Sequence, residues 1–189
     1  MKWLVGFAPR ARLLLATMAL SAALGYLWII RSRYGHDGAD QLCSIIFTAL
    51  FIGSLARAPA GLSAALWFIG FQVIHSYTAS GLYKVGSRGW RDGSFLTSIL
   101  GTEIYGSPRL GRLLLNKPIL ARLISRGVVF WESMIWIVLV LPAQVAAVLL
   151  LSTLVFHAAN AYVMGLNTFL IAFAAGYPAI MFIILSRGF

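Results

Sequence analysis

The stretch from Gln72 to Gly93, QVIHSYTASGLYKVGSRGWRDG, decides the fold of this chain. Its first half is an apolar segment that carries His75 and ends near Lys84, and its second half is a loop around Trp90. Polar residues recur in the segment at every fourth position: Gln72, Ser76, Ser80 and Lys84. Residues four apart lie on one side of a helix, so this spacing predicts a single, slowly winding polar stripe on an apolar helix.

Composition extends this prediction to the whole chain. With 60% hydrophobic and 11% charged residues in 189, the sequence has more apolar surface than a soluble core of this size would bury. The net charge of +10 comes from cations between the apolar runs, which indicates membrane borders rather than a nucleic-acid partner. The single cysteine, Cys43, excludes an internal disulfide and any Cys-x-x-Cys chemistry.

The apolar runs predict an all-α integral membrane protein, with one membrane domain over residues 1–189. A membrane-spanning helix needs roughly 20 apolar residues. Six runs qualify: Leu13 to Ile30, Asp40 to Leu55, Gly61 to Tyr83, Val128 to Leu141 with a possible upstream extension through Ile119, Ala143 to Met164, and Leu166 to Ser186. The second run is short, so a bundle of five spans is the alternative to six.

The segment between the third and fourth spans, residues 94–126, has a different pattern. Leu110, Leu113 and Leu114 fall at helical spacing beside Arg109 and Arg112. That arrangement is typical of an amphipathic helix lying along the lipid headgroups, which we expect here. A solvated linker with scattered cations is the alternative.

The cations bear on orientation and location. Lys2, Arg10 and Arg12 precede the first span, which favours a cytoplasmic N-terminus in a bacterial cytoplasmic membrane. Counting all cations favours the opposite orientation, because more of them fall on the side of the long loop. We favour the cytoplasmic N-terminus, mainly on the family resemblance described below.

Polar residues inside the predicted spans are the candidates for function, because a charged side chain at mid-bilayer costs about 2.5 to 3.5 kcal/mol. Glu132 is the one acid within the fourth span, and His157 and Asn160 follow helical spacing in the fifth. Together with Lys84 they would line one cavity near a membrane face. The alternatives are a lysine that reaches out to water at the end of its helix, and interhelical hydrogen bonds that only fix packing.

Two blocks of sequence resemble a known family. The first contains Tyr77, Gly81, Lys84, Trp90 and Gly93; the second, after Glu132, contains Phe156, His157, Asn160, Gly165 and Phe169. The blocks lie within about residues 65 to 180. They resemble the membrane domain of the vitamin K-dependent gamma-glutamyl carboxylase and its bacterial relatives, the horizontally transferred transmembrane domain proteins.

The resemblance implies a site and a ligand. In the carboxylase, the lysine matched by Lys84 is thought to deprotonate the hydroquinone form of vitamin K, and His157 would hydrogen-bond in the pocket. Lys84 and His157 are therefore the candidate catalytic residues, with a quinol as ligand and no metal. The predicted supporting residues are His75, Tyr77, Gly81, Trp90, Glu132 and Asn160. Small relatives of this kind look like accessory proteins in peptide maturation or export, so the resemblance implies an exported peptide or another membrane subunit as the partner besides the bilayer.

Two other functions remain open from the sequence. The chain could be a non-catalytic membrane scaffold or a subunit of a larger complex, in which the polar stripes serve packing. It could also be a b-type haem anchor with His75 and His157 as axial ligands, which requires both imidazoles at matching depth on facing helices.

Overall fold

A computed structural model describes residues 9–31, 37–56, 58–104 and 106–187. Within these ranges the chain is helical and has no strand, as the sequence predicts. The elements in order are α1 (Pro9–Arg31), α2 (Gly38–Leu55), α3 (Pro59–Gly86), α4 (Arg88–Asp92), α5 (Ser94–Leu100), α6 (Pro108–Leu115), α7 (Pro118–Met134), a 3₁₀ segment (Ile135–Leu139), α8 (Ala143–Met164) and α9 (Asn167–Ser186).

Local sequence explains where several helices begin. Pro59, Pro108 and Pro118 each lie at the start of a helix, where a missing backbone N–H costs nothing. Asp37 caps α2, because its carboxylate accepts a hydrogen bond of 2.8 Å from the backbone N–H of Asp40. These signals fix the N-terminal ends of α2, α3, α6 and α7.

Three helices, α2, α8 and α9, are long and apolar enough to cross a membrane. The apolar part of α1 is shorter, Leu13–Trp28. Large apolar side chains also remain exposed on the outside of the bundle, including Ile30 at 82% and Tyr162 at 93%. These features are compatible with an integral membrane protein, since lipid is the solvent in which such a surface is stable.

The helix boundaries follow most of the predicted apolar runs, and for the fourth run they follow its upstream extension through Ile119. α7 begins at Pro118, ten residues before the predicted start at Val128, and continues as the 3₁₀ segment to Leu139. Pro118 nucleates the helix at its first turn, and the apolar residues that follow extend it without a break. The predicted interfacial segment, 94–126, therefore includes the first half of a long helix. The N-terminal cation Lys2 and the loop residue Arg57 lie outside the described residues, so the orientation stays a prediction.

The core lies between α3 and α9, with α2 packed on both. Ile69 and Val73 on α3 and Ile180 on α9 are almost completely buried. Gly176 of α9 lies against Val73, so close that a Cβ added to Gly176 would overlap the valine side chain. Small residues thus let the two central helices approach closely, as in many membrane bundles.

Short helices α4, α5 and α6 pack against α7 rather than extending from the bundle as a linker. The Ser125 hydroxyl of α7 donates a hydrogen bond of 2.5 Å to the carbonyl of Trp90, and Arg126 Nε donates one of 3.0 Å to the carbonyl of Arg91. Between α4 and α5, Gly93 adopts a φ of 85° where an added Cβ would lie 2.7 Å from the backbone nitrogen of Arg122. Glycine is therefore required at this turn. That α6 lies on the membrane surface stays a prediction, although its arginines and exposed leucines have the expected amphipathic composition.

Candidate functional site

A cavity of about 380 Å³ opens between α2, α3, α7, α8 and α9, with α4 and α5 at one end. The polar stripe of α3 faces it. Six of the residues predicted from the sequence line this cavity: Tyr77, Lys84, Trp90, Glu132, His157 and Asn160. The structure therefore brings Lys84 and His157, which lie 73 positions apart in the sequence, to one cavity.

Lys84 and Glu132 form an ion pair at one end of the cavity. The Lys84 ammonium donates to Oε2 of Glu132 and, at 3.1 Å, to the hydroxyl of Ser80. Ser80 in turn donates to the same carboxylate at 3.2 Å. The two charged side chains are only 16% and 10% exposed, so neither reaches out to bulk water. In the apolar surroundings of a bundle, such a pair persists because each charge compensates the other.

Trp90 forms the wall beside this pair. The Lys84 nitrogen lies 4.9 Å from the centre of the Trp90 ring, within the range of a cation–π interaction. The hydrogen bond from Ser125 to the Trp90 carbonyl holds the backbone of α4 against α7. α4 is thus positioned so that its tryptophan covers the lysine.

A second polar group, formed by Tyr77, His157 and Tyr177, lies deeper in the bundle. The hydroxyl of Tyr77 is 2.5 Å from Nε2 of His157 and 2.7 Å from the hydroxyl of Tyr177. All three side chains are less than 10% exposed. Tyr77 therefore bridges the other two, and it joins α3, α8 and α9 through hydrogen bonds.

The imidazole of His157 is held by stacking on its ring face as well as by the hydrogen bond at its edge. Its ring stacks on Phe173 of α9 with centroids 4.5 Å apart and planes 17° apart. Its other nitrogen, Nδ1, is buried and has no hydrogen-bond partner among the described residues. A buried imidazole nitrogen without a hydrogen-bond partner carries a cost in free energy.

We expect Tyr77→Phe to destabilise the protein by about 2 to 4 kcal/mol, because it removes two buried hydrogen bonds, one to the imidazole of His157 and one to the hydroxyl of Tyr177. Tyr177→Phe removes one hydrogen bond and should cost about 1 kcal/mol. The free energy of unfolding in mixed micelles measures both. Equal effects of the two substitutions would show that Tyr77 does not hold the group together.

Two of the predicted supporting residues lie elsewhere. The side chain of His75 is exposed on the outside of α3 and does not line the cavity. Each residue of an α-helix is rotated by about 100° from the one before it. The side chains of His75 and Tyr77, two positions apart, therefore point about 160° away from each other. The prediction that His75 supports the pocket is therefore wrong. His75 and His157 do not face one space in the described residues, and the geometry lends no support to a haem held by both.

Gly81 supports the site from behind the cavity. It is buried where α3 crosses α7, and a Cβ added there would overlap the backbone nitrogen of Ser133 and lie 2.7 Å from its Cα. The prediction that Gly81 allows close helix approach is confirmed. This contact brings Glu132, the neighbour of Ser133, within reach of Lys84.

Sequence reasoning missed Tyr177 and Phe173 on α9. Both lie in the most apolar run of the chain, where one aromatic residue among many gives no signal of a site. The one available signal was the hydroxyl of Tyr177, since a tyrosine buried in a bundle needs a hydrogen-bond partner.

No family model, no curated protein and no solved structure matches this chain. The resemblance to the carboxylase membrane domain rests on the residues quoted above.

Proposed function

We propose that this chain is a six-span membrane protein that binds the ring of a lipid-soluble quinol in the cavity and takes a proton from one of its hydroxyls. The observation that carries the proposal is the Lys84–Glu132 ion pair, enclosed in a cavity with aromatic walls. The resemblance to the carboxylase membrane domain points to the same class of ligand.

Three of the six proposed spans are α2, α8 and α9, the helices that are long and apolar enough to cross a membrane. The other three are α1, α3, and α7 with its 3₁₀ extension. α3 has 28 residues, or about 42 Å of helix, which is long enough to cross a bilayer. Its average hydropathy is lowered by Gln72, Ser76 and Lys84, but these residues face the cavity rather than lipid. Polar residues directed inward are compatible with a membrane-spanning helix.

The cavity suits a small aromatic ring with two polar ends. Its volume of about 380 Å³ is in the range of small-molecule sites, and Phe156, Phe169 and Phe173 supply flat apolar walls. A hydroquinone has hydroxyls on opposite sides of one ring. One hydroxyl would meet the Lys84–Glu132 pair, and the other would lie beside the imidazole of His157, which lines the same cavity.

Glu132 gives Lys84 a way to act as a base. An ammonium cannot accept a proton, but transfer of its proton to the Glu132 carboxylate leaves a neutral amine and a carboxylic acid without changing the net charge of the pair. The amine then takes the proton of a quinol hydroxyl, which leaves a phenolate next to the new ammonium. The phenolate is stabilised by that cation at the Trp90 wall.

The test is a binding titration of the protein in lipid vesicles with a decyl-chain benzohydroquinone under anaerobic conditions. We expect Lys84→Met and His157→Gln each to weaken binding by tenfold or more, about 1.4 kcal/mol or more. His75→Gln is the matched control, because it replaces a histidine of the same helix bundle that lies outside the cavity, and its affinity should stay within about twofold.

Unchanged binding after both Lys84 and His157 are replaced would contradict the proposal. Together with a stoichiometric protein partner that co-purifies with the double variant, it would favour the non-catalytic scaffold.

A further inference from the structure

A second cavity of about 340 Å³ lies on the outside of the bundle, between α7 and α8. Its lining is mainly apolar. The residues that line it are Gly127, Val128, Trp131, Glu132, Ser152 and Phe156. Three of these, Val128, Glu132 and Phe156, also line the inner cavity. The two spaces are therefore adjacent and share these three residues as a common wall.

This second cavity is a groove, and it exists because α7 and α8 pack on different helices. α7 lies against α3 and α4, whereas α8 lies against α9 and the 3₁₀ segment. A Cβ added to Gly127 would have no neighbouring atom within 4 Å, which shows how open this part of α7 is. The Ser152 hydroxyl donates to the carbonyl of Leu149 at 2.6 Å, so it is occupied within its own helix. Glu132 is then the one charged group that the groove presents.

We infer that the lipid-soluble ligand enters the inner cavity sideways from the bilayer, through this groove between α7 and α8. The inference rests on the proposed function. A ligand with a hydrocarbon chain is concentrated in the membrane, and this route lets its ring reach the Lys84–Glu132 pair without crossing water. The side chains of Val128 and Phe156 lie at the boundary between the groove and the inner cavity, and they can change rotamer without movement of a helix. Glu132 is the first polar group that the ring meets.

The test fills the groove and compares two probes. Gly127→Phe places a ring in the open space of the groove, and Gly86→Phe is the matched control, because Gly86 is also open and lies at the end of α3, outside the groove. We expect Gly127→Phe to slow association of the decyl-chain hydroquinone by tenfold or more. Association of the chainless hydroquinone, added from water, should change by less than twofold.

A second form of the test avoids any effect of the substitution on folding. Cys43 is the single cysteine, so Gly127→Cys in a Cys43→Ser background gives one thiol that can carry a bulky maleimide after the protein has been inserted. The same sample is measured before and after modification. Slower association of the decyl-chain probe after modification supports lateral entry, and the same modification at Gly86→Cys should have no effect.

Three results would overturn the inference. Unchanged association of the decyl-chain probe in both the Gly127→Phe and the modified protein would exclude this groove as the entry route, while Lys84-dependent binding would still support the proposed function. Equal slowing of both probes would show that the chainless hydroquinone, which is added from water, uses the same path. The groove would then not be an entry route that leads from the bilayer alone. Failure of the wild-type protein to bind either probe would overturn the proposed function and the entry route together.

Discussion

Glu132→Ala is expected to destabilise the protein by about 3 to 5 kcal/mol, because it leaves the ammonium of Lys84 buried without its counter-charge. The lysine side chain is only 16% exposed, and its ammonium lies 4.9 Å from the centre of the Trp90 ring. Ser80 remains as its one neutral acceptor among the hydrogen bonds described. The free energy of unfolding in mixed micelles, measured by denaturant titration, gives this value directly.

The double variant Lys84→Met/Glu132→Leu separates charge burial from packing. Replacing both members of a buried ion pair with apolar residues of similar volume is often neutral, so we expect the double variant to be more stable than Glu132→Ala by at least about 2 kcal/mol. Its affinity for the quinol should nevertheless be weaker than that of the wild type by tenfold or more. If the double variant is as unstable as Glu132→Ala, the destabilisation comes from lost packing, and the ion pair does not have the role given to it here.

Gly81→Leu is expected to have an effect of similar size, by forcing α3 and α7 apart. The new side chain would overlap the backbone of Ser133, including its nitrogen and Cα, and backbone atoms cannot rotate out of the way. Overpacking of a core typically costs about 1 to 3 kcal/mol and more where the backbone must move, so we expect at least about 3 kcal/mol or loss of the inserted protein. Because Glu132 precedes Ser133, the same displacement breaks the ion pair with Lys84.

Gly86→Leu is the control for this prediction, since a Cβ at Gly86 meets no atom within 4 Å. It lies on the same helix, five residues further along. Its effect on the unfolding free energy should be within about 0.5 kcal/mol of the wild type. A Gly81→Leu protein as stable as Gly86→Leu would mean that α3 and α7 do not cross as closely as the structure shows.

The sequence was informative wherever periodicity on one helix carried the signal. Residues spaced by four drift by only about 40° per step, so Gln72, Ser76, Ser80 and Lys84 had to share a face, and all four line the cavity. The same argument placed His157 and Asn160 together on α8. Glu132 was recognisable because an acid within an apolar run needs a partner.

Other features depend on how helices pack, which no local pattern encodes. His75 is among the predicted supporting residues and is adjacent in sequence to Ser76 of the stripe, although helical geometry turns its side chain outward. Tyr177 joins the site only because α9 crosses α3 at Gly176 and Val73. The groove between α7 and α8 exists because these two helices pack on different neighbouring helices, so it was not predictable from the sequence of either helix alone.

The most direct test of the central claim is the ultraviolet difference spectrum of the bound ring in the titration with decyl-chain hydroquinone. The phenolate form of the quinol, which has lost the proton of one hydroxyl, absorbs at longer wavelength than the neutral quinol. We expect the phenolate band in the wild type and in His75→Gln, and its absence in Lys84→Met at ligand concentrations that restore occupancy. A bound quinol that stays neutral in the wild type, or a phenolate band of full intensity in Lys84→Met, would contradict the assignment of the Lys84–Glu132 pair as the proton acceptor.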